Sequence, residues 1–428
     1  MESYQLKDLS ITLEKHGSRE FSKVSYPIRY GCFSEIKTAD DVFEFNLNGE
    51  IKHLQGLGHH WPHPTEWLKR TAGNDWIYYS AGDYKGVFEL FGEYYFPCLP
   101  YPSNSIMGEN PFDDAPIQSG FRSWKSLQKR IKGLLSQGLP PRLKRFLASV
   151  AQNDEHVLIA RARALHQIIG GQVTVLPPDS RQVDYELVPV MVADGCLYNG
   201  GFCEVKSGRR FAPRSKQNIT EQIKDLKTFF GRDLRNYNNS VFLGEHDALR
   251  VGRELLEFTT ERVYETFEFE RSYMKGASLF LFGSAHSLLH SEDALFDFLN
   301  HLPYTTYINV GLESADPATL ATLKKPVPAE MVREAFAKMV DINRRHEKIE
   351  ITANFVLSDD LPPNHFASLS ELVSNRSDFI PIKGGIYLSP IMRSGNQTAA
   401  NRRQLLKKFY QVKAQNPLPT FLYLIQRL

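Results

Sequence analysis

Cysteine is scarce in this chain. Its 428 residues include four cysteines, Cys32, Cys98, Cys196 and Cys203. So few thiols in so long a chain exclude a disulfide-stapled scaffold and favour a reducing compartment. Any metal or redox chemistry carried out by cysteine must therefore come from very few residues.

Long apolar runs and an excess of one charge are also missing. The longest apolar runs, such as residues 279–282, are far shorter than the about 18 residues that a membrane span needs. The N-terminal stretch MESYQLKDLSITLEK is polar and charged, unlike a secretory signal. Lysine and arginine number 51 and aspartate and glutamate 49, so no global field attracts nucleic acid or membrane. We therefore expect a soluble, cytoplasmic protein with no membrane contact.

Composition changes along the chain and indicates more than one domain. All four tryptophans lie within the first 124 residues, together with short alternating runs such as residues 42–47. Residues 121–145 contain eight lysines or arginines and no acidic residue, and this pattern predicts a basic helix and a turn at Pro140 and Pro141. We predict an additional α+β N-terminal domain over residues 1–183, which caps the rest of the protein or binds its substrate.

The second half of the chain alternates strand-like and helical segments. Short buried apolar runs separated by helices indicate βαβ units and a parallel sheet. The six predicted strands are residues 187–192, 240–243, 278–282, 307–310, 349–357 and 385–388. We therefore predict an α/β fold, a partial (β/α)6 TIM-like barrel over residues 184–395, followed by a helical extension over residues 396–428.

Helix starts can be read at several places in this half. Asn218 and Glu221 have the spacing of a capping box. Asp316 before Pro317 predicts an N-cap followed by an N1 proline. A further helix is expected to begin near Pro328.

The segment after the first predicted strand contains half of the cysteines. Residues 194–206 read DGCLYNGGFCEVK, so Cys196 and Cys203 lie in a glycine-rich loop. In a barrel this loop faces the mouth, because chemistry collects at the C-terminal ends of the strands. Thiolates are soft ligands suited to iron–sulfur clusters or zinc. The alternative is a pair of ordinary buried thiols.

This loop resembles the cluster loop of the radical S-adenosylmethionine (radical SAM) family. Family members carry three cysteines spaced C-x3-C-x2-C, with an aromatic residue just before the last. Cys196 and Cys203 match the outer positions and Phe202 matches the aromatic residue, but Gly200 stands at the middle position. In the family, three thiolates hold three irons of a [4Fe–4S] cluster, and the fourth iron binds the amino and carboxylate groups of S-adenosyl-L-methionine. Glycine cannot replace a ligand.

Other strand ends carry further elements of the same resemblance. Gly244 and Glu245 follow the second strand and look like the family's glycine–acid motif, which contacts the methionine amino group. Glu313 and Ser314, in a G-L-E-S segment after the fourth strand, resemble the residues that meet the ribose or the methionine carboxylate. Asn354 after the fifth strand is implied on the adenine side.

Each of these residues also has a structural interpretation. The segment after Gly244 also fits a helix N-cap at Asp247, and Glu313 also fits a charge that favours a helix start.

The resemblance implies a function, and Gly200 divides it into alternatives. One is reductive cleavage of S-adenosyl-L-methionine at a [4Fe–4S] cluster, which starts radical chemistry on an unknown substrate and needs an electron donor such as flavodoxin or ferredoxin. In that case Gly200 is an altered position in an enzyme. The second is a degenerate pseudoenzyme that binds S-adenosyl-L-methionine or a partner without radical chemistry. The third is a nucleic-acid-binding or modifying protein that uses residues 121–145.

Two other features are weaker candidates. His59, His60 and His63 lie close in sequence with Glu66 nearby, but the flanking prolines indicate an exposed turn rather than a zinc site. Cys32 is isolated in sequence, as is Cys98, so neither is expected to replace the missing ligand.

Overall fold

A computed structural model describes most of the chain. The described residues are 1–24, 26–81, 86–97, 101–108, 110–198, 200–205, 208–244, 246–374, 383–392 and 398–428. Two residues considered above, Cys98 and Glu245, lie outside these ranges.

Among the described residues, the N-terminal part is built on an antiparallel sheet of eight strands. Each strand pairs with the next one in sequence, so the sheet is a meander. Its strands are β1 (Glu2–Leu6), β2 (Leu9–His16), β3 (Cys32–Lys37), β4 (Asp41–Phe45), β5 (Ile51–Gly56), β6 (Trp67–Arg70), β7 (Trp76–Tyr79) and β8 (Tyr95–Pro97). Alternate residues at the start of β2 are buried, as expected for a sheet with one face against a core.

Four helices belong to the described residues of this part of the chain, and the longest of them packs against β4 and β5. They are α1 (Val87–Phe91), α2 (Ala115–Leu134), α3 (Pro141–Gln152) and α4 (Glu155–Ile168). The predicted basic helix corresponds to α2, which buries one stripe of residues at helical spacing. Trp124 on that stripe packs against Phe43 and Phe45, with ring centroids 6.0 Å and 5.5 Å apart.

The second half contains a parallel sheet with helices, as predicted. Its seven strands lie in the order β17-β16-β15-β14-β13-β12-β9. They are β9 (Val188–Met191), β12 (Ser240–Gly244), β13 (Ser278–Ser284), β14 (Thr305–Glu313), β15 (Ile349–Leu357), β16 (Ile386–Pro390) and β17 (Thr420–Leu422), and a separate small ribbon pairs β10 (Ala193–Asp194) with β11 (Ala212–Pro213). All six predicted strands are present. The seventh, β17, was not predicted and continues the sheet into the segment expected to be helical.

Helices alternate with these strands and carry the chain back across the sheet. They are α5 (Lys216–Phe230), α6 (Asp233–Asn236), α7 (Arg253–Thr266), α8 (Ala285–His290), α9 (Asp293–His301), α10 (Pro317–Thr322), α11 (Ala329–Arg345), α12 (His365–Ser374) and α13 (Ala399–Gln415). Short 3-10 turns lie at Pro102–Met107, Pro111–Asp113, Pro178–Val183, Ala248–Val251 and Phe269–Arg271. Among the described residues, no helix combines the length and apolar character needed to cross a membrane.

The helix caps confirm one prediction and correct another. The Asp316 side chain accepts a hydrogen bond from the Thr319 amide at 2.8 Å and caps α10, as predicted. The capping box predicted at Asn218 is wrong. Ser215, three residues earlier, accepts from the Asn218 amide at 3.2 Å and caps α5. A serine hydroxyl at that earlier position satisfies a free amide that asparagine, already inside the helix, cannot reach.

Buried charge joins the two sheets. Glu186, just before β9, is held between two lysines of the antiparallel sheet, with Oε1 at 2.8 Å from Nζ of Lys52 and 2.9 Å from Nζ of Lys69. All three side chains are at most 7% exposed. A contiguous apolar core runs through both parts of the chain. The antiparallel module is therefore packed directly onto the parallel sheet.

Candidate functional site

A cavity opens at the carboxyl ends of the parallel strands. It measures about 210 Å³ and is lined by the carboxyl ends of β13, β14, β15 and β16 and by the segments that follow β9 and β12. Apolar side chains that include Phe282, Val356 and Tyr423 line much of it, and a few polar groups converge on it. Such a mainly apolar cleft with a small polar set is the usual form of a small-molecule site.

The cysteine loop forms one wall of this cavity. Cys196, Gly200, Phe202 and Cys203 all line it. The Cys196 amide donates to the carbonyl of Arg209 at 3.1 Å, and the Cys203 amide donates to the Gly200 carbonyl at 3.2 Å, which closes a tight turn. Burial raises the pKa of the Cys203 thiol, so without a metal this sulfur is protonated at neutral pH.

The residues present do not make a complete ligand set for a [4Fe–4S] cluster. Two cysteines line the cavity, and Gly200 has no side chain to offer. Within the described ranges, no group of three or more histidine, cysteine, aspartate or glutamate residues could hold a metal ion. The cluster implied by the resemblance therefore does not fit this chain as it stands, although the two outer ligand positions face the same space.

Glu313 and Lys325 form a charged pair beside the cysteine loop, where Nζ of Lys325 lies 4.9 Å from the centre of the Tyr198 ring. Glu313 ends β14 with φ at +64°, a backbone region that side chains rarely adopt, next to a register shift between Gly311 and Glu313. Nζ of Lys325 lies 3.1 Å from Oε1 of Glu313 and 3.1 Å from the Gly311 carbonyl. Both side chains are nearly buried and both line the cavity. The strained turn thus directs a carboxylate into the cavity with its counter-ion beside it.

Asn354 lines the cavity from β15. Its side chain is paired with that of Asn309 on β14: Nδ2 of Asn309 donates to Oδ1 of Asn354 at 3.1 Å, and Nδ2 of Asn354 donates back to Oδ1 of Asn309. These reciprocal bonds fix the amide in one orientation. Asn354 therefore offers a rigid polar edge to the cavity.

Ser314 does not line the cavity. Its side chain is fully buried, and its Oγ lies 2.8 Å from Nδ1 of His365 and accepts from the Asp316 amide at 3.0 Å. Nε2 of His365 lies 2.9 Å from the Val356 carbonyl, so it donates there and Nδ1 of the neutral ring accepts from Ser314. Ser314 thus holds the start of α12 near the end of β14, and the contact with a ligand carboxylate that the resemblance implies stays a prediction.

Gly244 also lies outside the cavity wall. A Cβ at this position would meet the Phe242 ring at 2.4 Å, so the glycine is explained by close packing. Glu245, the acid of the proposed glycine–acid motif, lies outside the described residues.

The sequence predicts a helix cap at Asp247, but its side chain does not cap the following turn. It is 4% exposed and lines the cavity, and its Oδ1 accepts from Oγ of Ser287 at 2.7 Å. In the sequence, the only sign of this role is that a carboxylate stands three residues beyond the end of a strand. Burial against α8, which sequence spacing does not show, decides its orientation.

The other sequence candidates lie away from this cavity. His59, His60 and His63 are in an exposed turn of the antiparallel module, where Glu66 points into the core and accepts from the Ser80 hydroxyl at 3.1 Å. Cys32 is buried in β3.

Comparisons with known proteins add weak similarities. No protein-family profile matches the chain, and no curated protein does. Solved structures that it resembles include radical SAM enzymes. The radical S-adenosylmethionine methyltransferase TsrM from Kitasatospora setae has 13% identity and a TM-score of 0.34, over 48% of this chain and 36% of that one.

Two further radical SAM structures show the same level of similarity. A methyltransferase from Sphaerobacter thermophilus has 14% identity and a TM-score of 0.37, over 55% of this chain and 65% of that one. Coproporphyrinogen III oxidase (HemN) from Escherichia coli has 10% identity and a TM-score of 0.36, over 59% and 56%. The alignments thus span less than two thirds of each of these chains. TM-scores this low establish neither the fold nor the activity of this chain. Any function must therefore be argued from the residues of the cavity.

Proposed function

We propose that this chain is a protein of the radical SAM type whose cavity binds S-adenosyl-L-methionine. The observation that carries the proposal is that one cavity, at the carboxyl edge of a parallel sheet, collects Cys196, Phe202, Cys203, Glu313 and Asn354. These residues come from three separate segments of the sequence. Ligand sites of parallel sheets form at this edge because the loops after the strands converge there.

The cavity suits the adenine and the ribose of this ligand. Its apolar lining, with Phe202 and Val356, can cover an adenine ring, and the Asn354 amide offers it hydrogen bonds. The Glu313 carboxylate accepts hydrogen bonds, which is what ribose hydroxyls require. S-adenosyl-L-methionine, when bound, would supply a sulfonium centre with cleavable carbon–sulfur bonds.

Radical chemistry is the more demanding form of this proposal. It requires a [4Fe–4S] cluster and an electron donor such as flavodoxin or ferredoxin, and this chain supplies two of the three expected thiolates. We therefore propose that this chain binds S-adenosyl-L-methionine. Cluster-dependent cleavage of S-adenosyl-L-methionine, and radical chemistry on a substrate, would require a third thiolate ligand.

A cavity-blocking variant tests the proposal. Ser389 lines the cavity from β16, so Ser389→Trp places an indole in the proposed ligand volume. We expect isothermal titration calorimetry to show saturable binding of S-adenosyl-L-methionine to the wild-type chain and a loss of about tenfold or more in affinity for the variant.

Ser10→Trp, on the exposed side of β2, is the matched control and should bind like the wild type. Equal affinity in both variants, with folding checked by circular dichroism, would place the ligand elsewhere. Failure of the wild type to bind would reject the proposal.

A further inference from the structure

Asp247 carries a buried oxygen without a partner. Its Oδ1 accepts from Ser287, and among the described residues no donor has hydrogen-bond geometry to Oδ2, although the nearby Ser284 hydroxyl also lowers the pKa of this carboxyl. The neighbouring hydroxyl of Ser284 donates to Ser287 at 3.1 Å. Leaving a buried acceptor unsatisfied costs about 1–3 kcal/mol. A buried acceptor that costs stability and belongs to a cavity-lining residue is explained if a bound ligand donates a hydrogen bond to it.

Lys325 offers the opposite charge in the same cavity. An ammonium group has three N–H donors, and two of them are accounted for by Gly311 and Glu313. Nζ also lies 4.9 Å from the centre of the Tyr198 ring, and among the described residues no further hydrogen-bond acceptor is recorded for its third N–H. The positive charge of Lys325 also acts on Asp247. Burial raises the pKa of Asp247, and the ammonium of Lys325 is among the groups that lower it.

We propose that Asp247 and Lys325 together bind the α-amino acid group of the ligand, with the ammonium at Asp247 and the carboxylate at Lys325. This inference rests on the proposed binding of S-adenosyl-L-methionine. In the radical SAM family the fourth iron of the cluster holds these two groups, and here the cysteine that would complete the cluster is replaced by Gly200. Two side chains of opposite charge can hold an amino acid without any cluster.

Ligands that lack one charged group provide the test for Asp247. The probes are S-adenosyl-L-methionine and 5′-methylthioadenosine, which lacks the amino acid part. Asp247→Asn keeps the shape but removes the charge. We expect it to weaken S-adenosyl-L-methionine about tenfold or more in calorimetry, because a charge-assisted hydrogen bond is lost, and to change 5′-methylthioadenosine binding by less than about twofold. Asp360→Asn, at an exposed position after β15, is the matched control.

Lys325→Met provides a second, independent experiment, which tests the role of the lysine. Here the probe that matters is decarboxylated S-adenosylmethionine, which keeps the ammonium and lacks the carboxylate. The variant should lower the affinity for S-adenosyl-L-methionine by a larger factor than that for the decarboxylated ligand, because loss of the ion pair with Glu313 affects both ligands and loss of the carboxylate contact affects only the first. This arm also serves if Asp247→Asn fails to fold, as judged by circular dichroism.

The outcomes separate the two proposals. If the wild type binds none of the probes, the proposed function fails. If it binds S-adenosyl-L-methionine and 5′-methylthioadenosine, but both variants leave the ratio of their affinities unchanged, the cavity binds the nucleoside and the assignment of Asp247 and Lys325 is wrong.

Discussion

Gly200 stands where the cluster motif needs a thiolate, and its surroundings determine whether one can be restored. Its backbone is outside the left-handed region, so a cysteine would be unstrained there. An added Cβ would lie 3.1 Å from a carbon of the Phe202 ring, and that ring is only partly buried and can shift. The position also lines the cavity, on the same wall as Cys196 and Cys203.

We therefore predict that Gly200→Cys gains the ability to hold a cluster. After anaerobic reconstitution with iron and sulfide, the variant should show the absorption and iron content of a [4Fe–4S] protein, whereas the wild type should hold substoichiometric, labile iron. Gly201→Cys is the control, because Gly201 is exposed and does not line the cavity. A full cluster in the wild type, or none in Gly200→Cys, would contradict the missing-ligand account.

Ser314 shows what sequence cannot settle about neighbouring residues. Glu313 and Ser314 both fitted a ligand-binding motif, yet one faces the cavity and the other is buried against His365. The register shift at the end of β14 decides which side chain faces which way, and a local backbone irregularity of this kind is not visible in residue spacing.

Ser314→Ala should therefore affect stability and not binding. Loss of the hydroxyl leaves Nδ1 of His365 and the Asp316 amide without their partner, at a cost of about 1–3 kcal/mol in the free energy of unfolding by chemical denaturation. The affinity for S-adenosyl-L-methionine should stay within about twofold of the wild type. Normal stability with weakened binding would restore the ligand contact implied by the family motif.

The strands and helices of the second half could be predicted where buried apolar residues form a regular pattern in the sequence. The six strands flanked by helices stand out as apolar runs because a parallel sheet is covered on both faces. Strand β17 has only three residues, Thr420–Leu422, and is too short to show a pattern. Its place in the sheet depends on pairing with Ile386–Pro390, a contact that no local signal announces.

The basic segment behaves as part of a folded surface rather than as a free patch. Four of its eight cations form ion pairs with acidic residues from elsewhere in the chain: Lys125 with Glu155, Arg130 with Asp8, Lys132 with Asp154, and Arg142 with Glu2 and Glu14. Sequence showed only the basic side of these pairs. Exposed pairs contribute little stability, but they reduce the local positive field.

We accordingly expect weak nucleic-acid binding by α2. Fluorescence anisotropy with a labelled single-stranded RNA should give little binding at physiological salt, and neutralising Lys129, Arg130 and Lys132 should change it little. Tight binding with a steep salt dependence that these substitutions abolish would favour the nucleic-acid function instead.

The whole molecule depends on the buried contact between its two sheets. Burial alone would raise the pKa of Glu186, but the ammonium groups of Lys52 and Lys69 more than offset this and hold its pKa at about 2. A carboxylate whose pKa is lower in the folded than in the unfolded chain contributes stability that is present above its unfolded pKa of about 4.3 and is lost as pH falls towards 2. Composition shifts pointed to separate modules, but they could not show this contact.

Glu186→Gln should reveal that contribution. Near pH 6 the variant should be destabilised by about 3–5 kcal/mol, because two buried lysines lose their counter-ion. The difference from the wild type in the free energy of unfolding should shrink as pH is lowered from about 5 towards 3. Asp341→Asn, in an exposed pair with Arg344, is the control and should cost less than about 1 kcal/mol. A pH-independent difference for Glu186→Gln would show that its charge does not join the sheets.

The central claim is that the cavity binds S-adenosyl-L-methionine without a complete cluster. The most direct measurement is calorimetric titration of this ligand into the full chain after iron has been removed with a chelator. The account predicts saturable binding of about one equivalent, unchanged by the chelator, because the chain's own side chains hold the ligand. Absence of saturable binding in the iron-free chain, with binding recovered only on adding iron and sulfide, would contradict it.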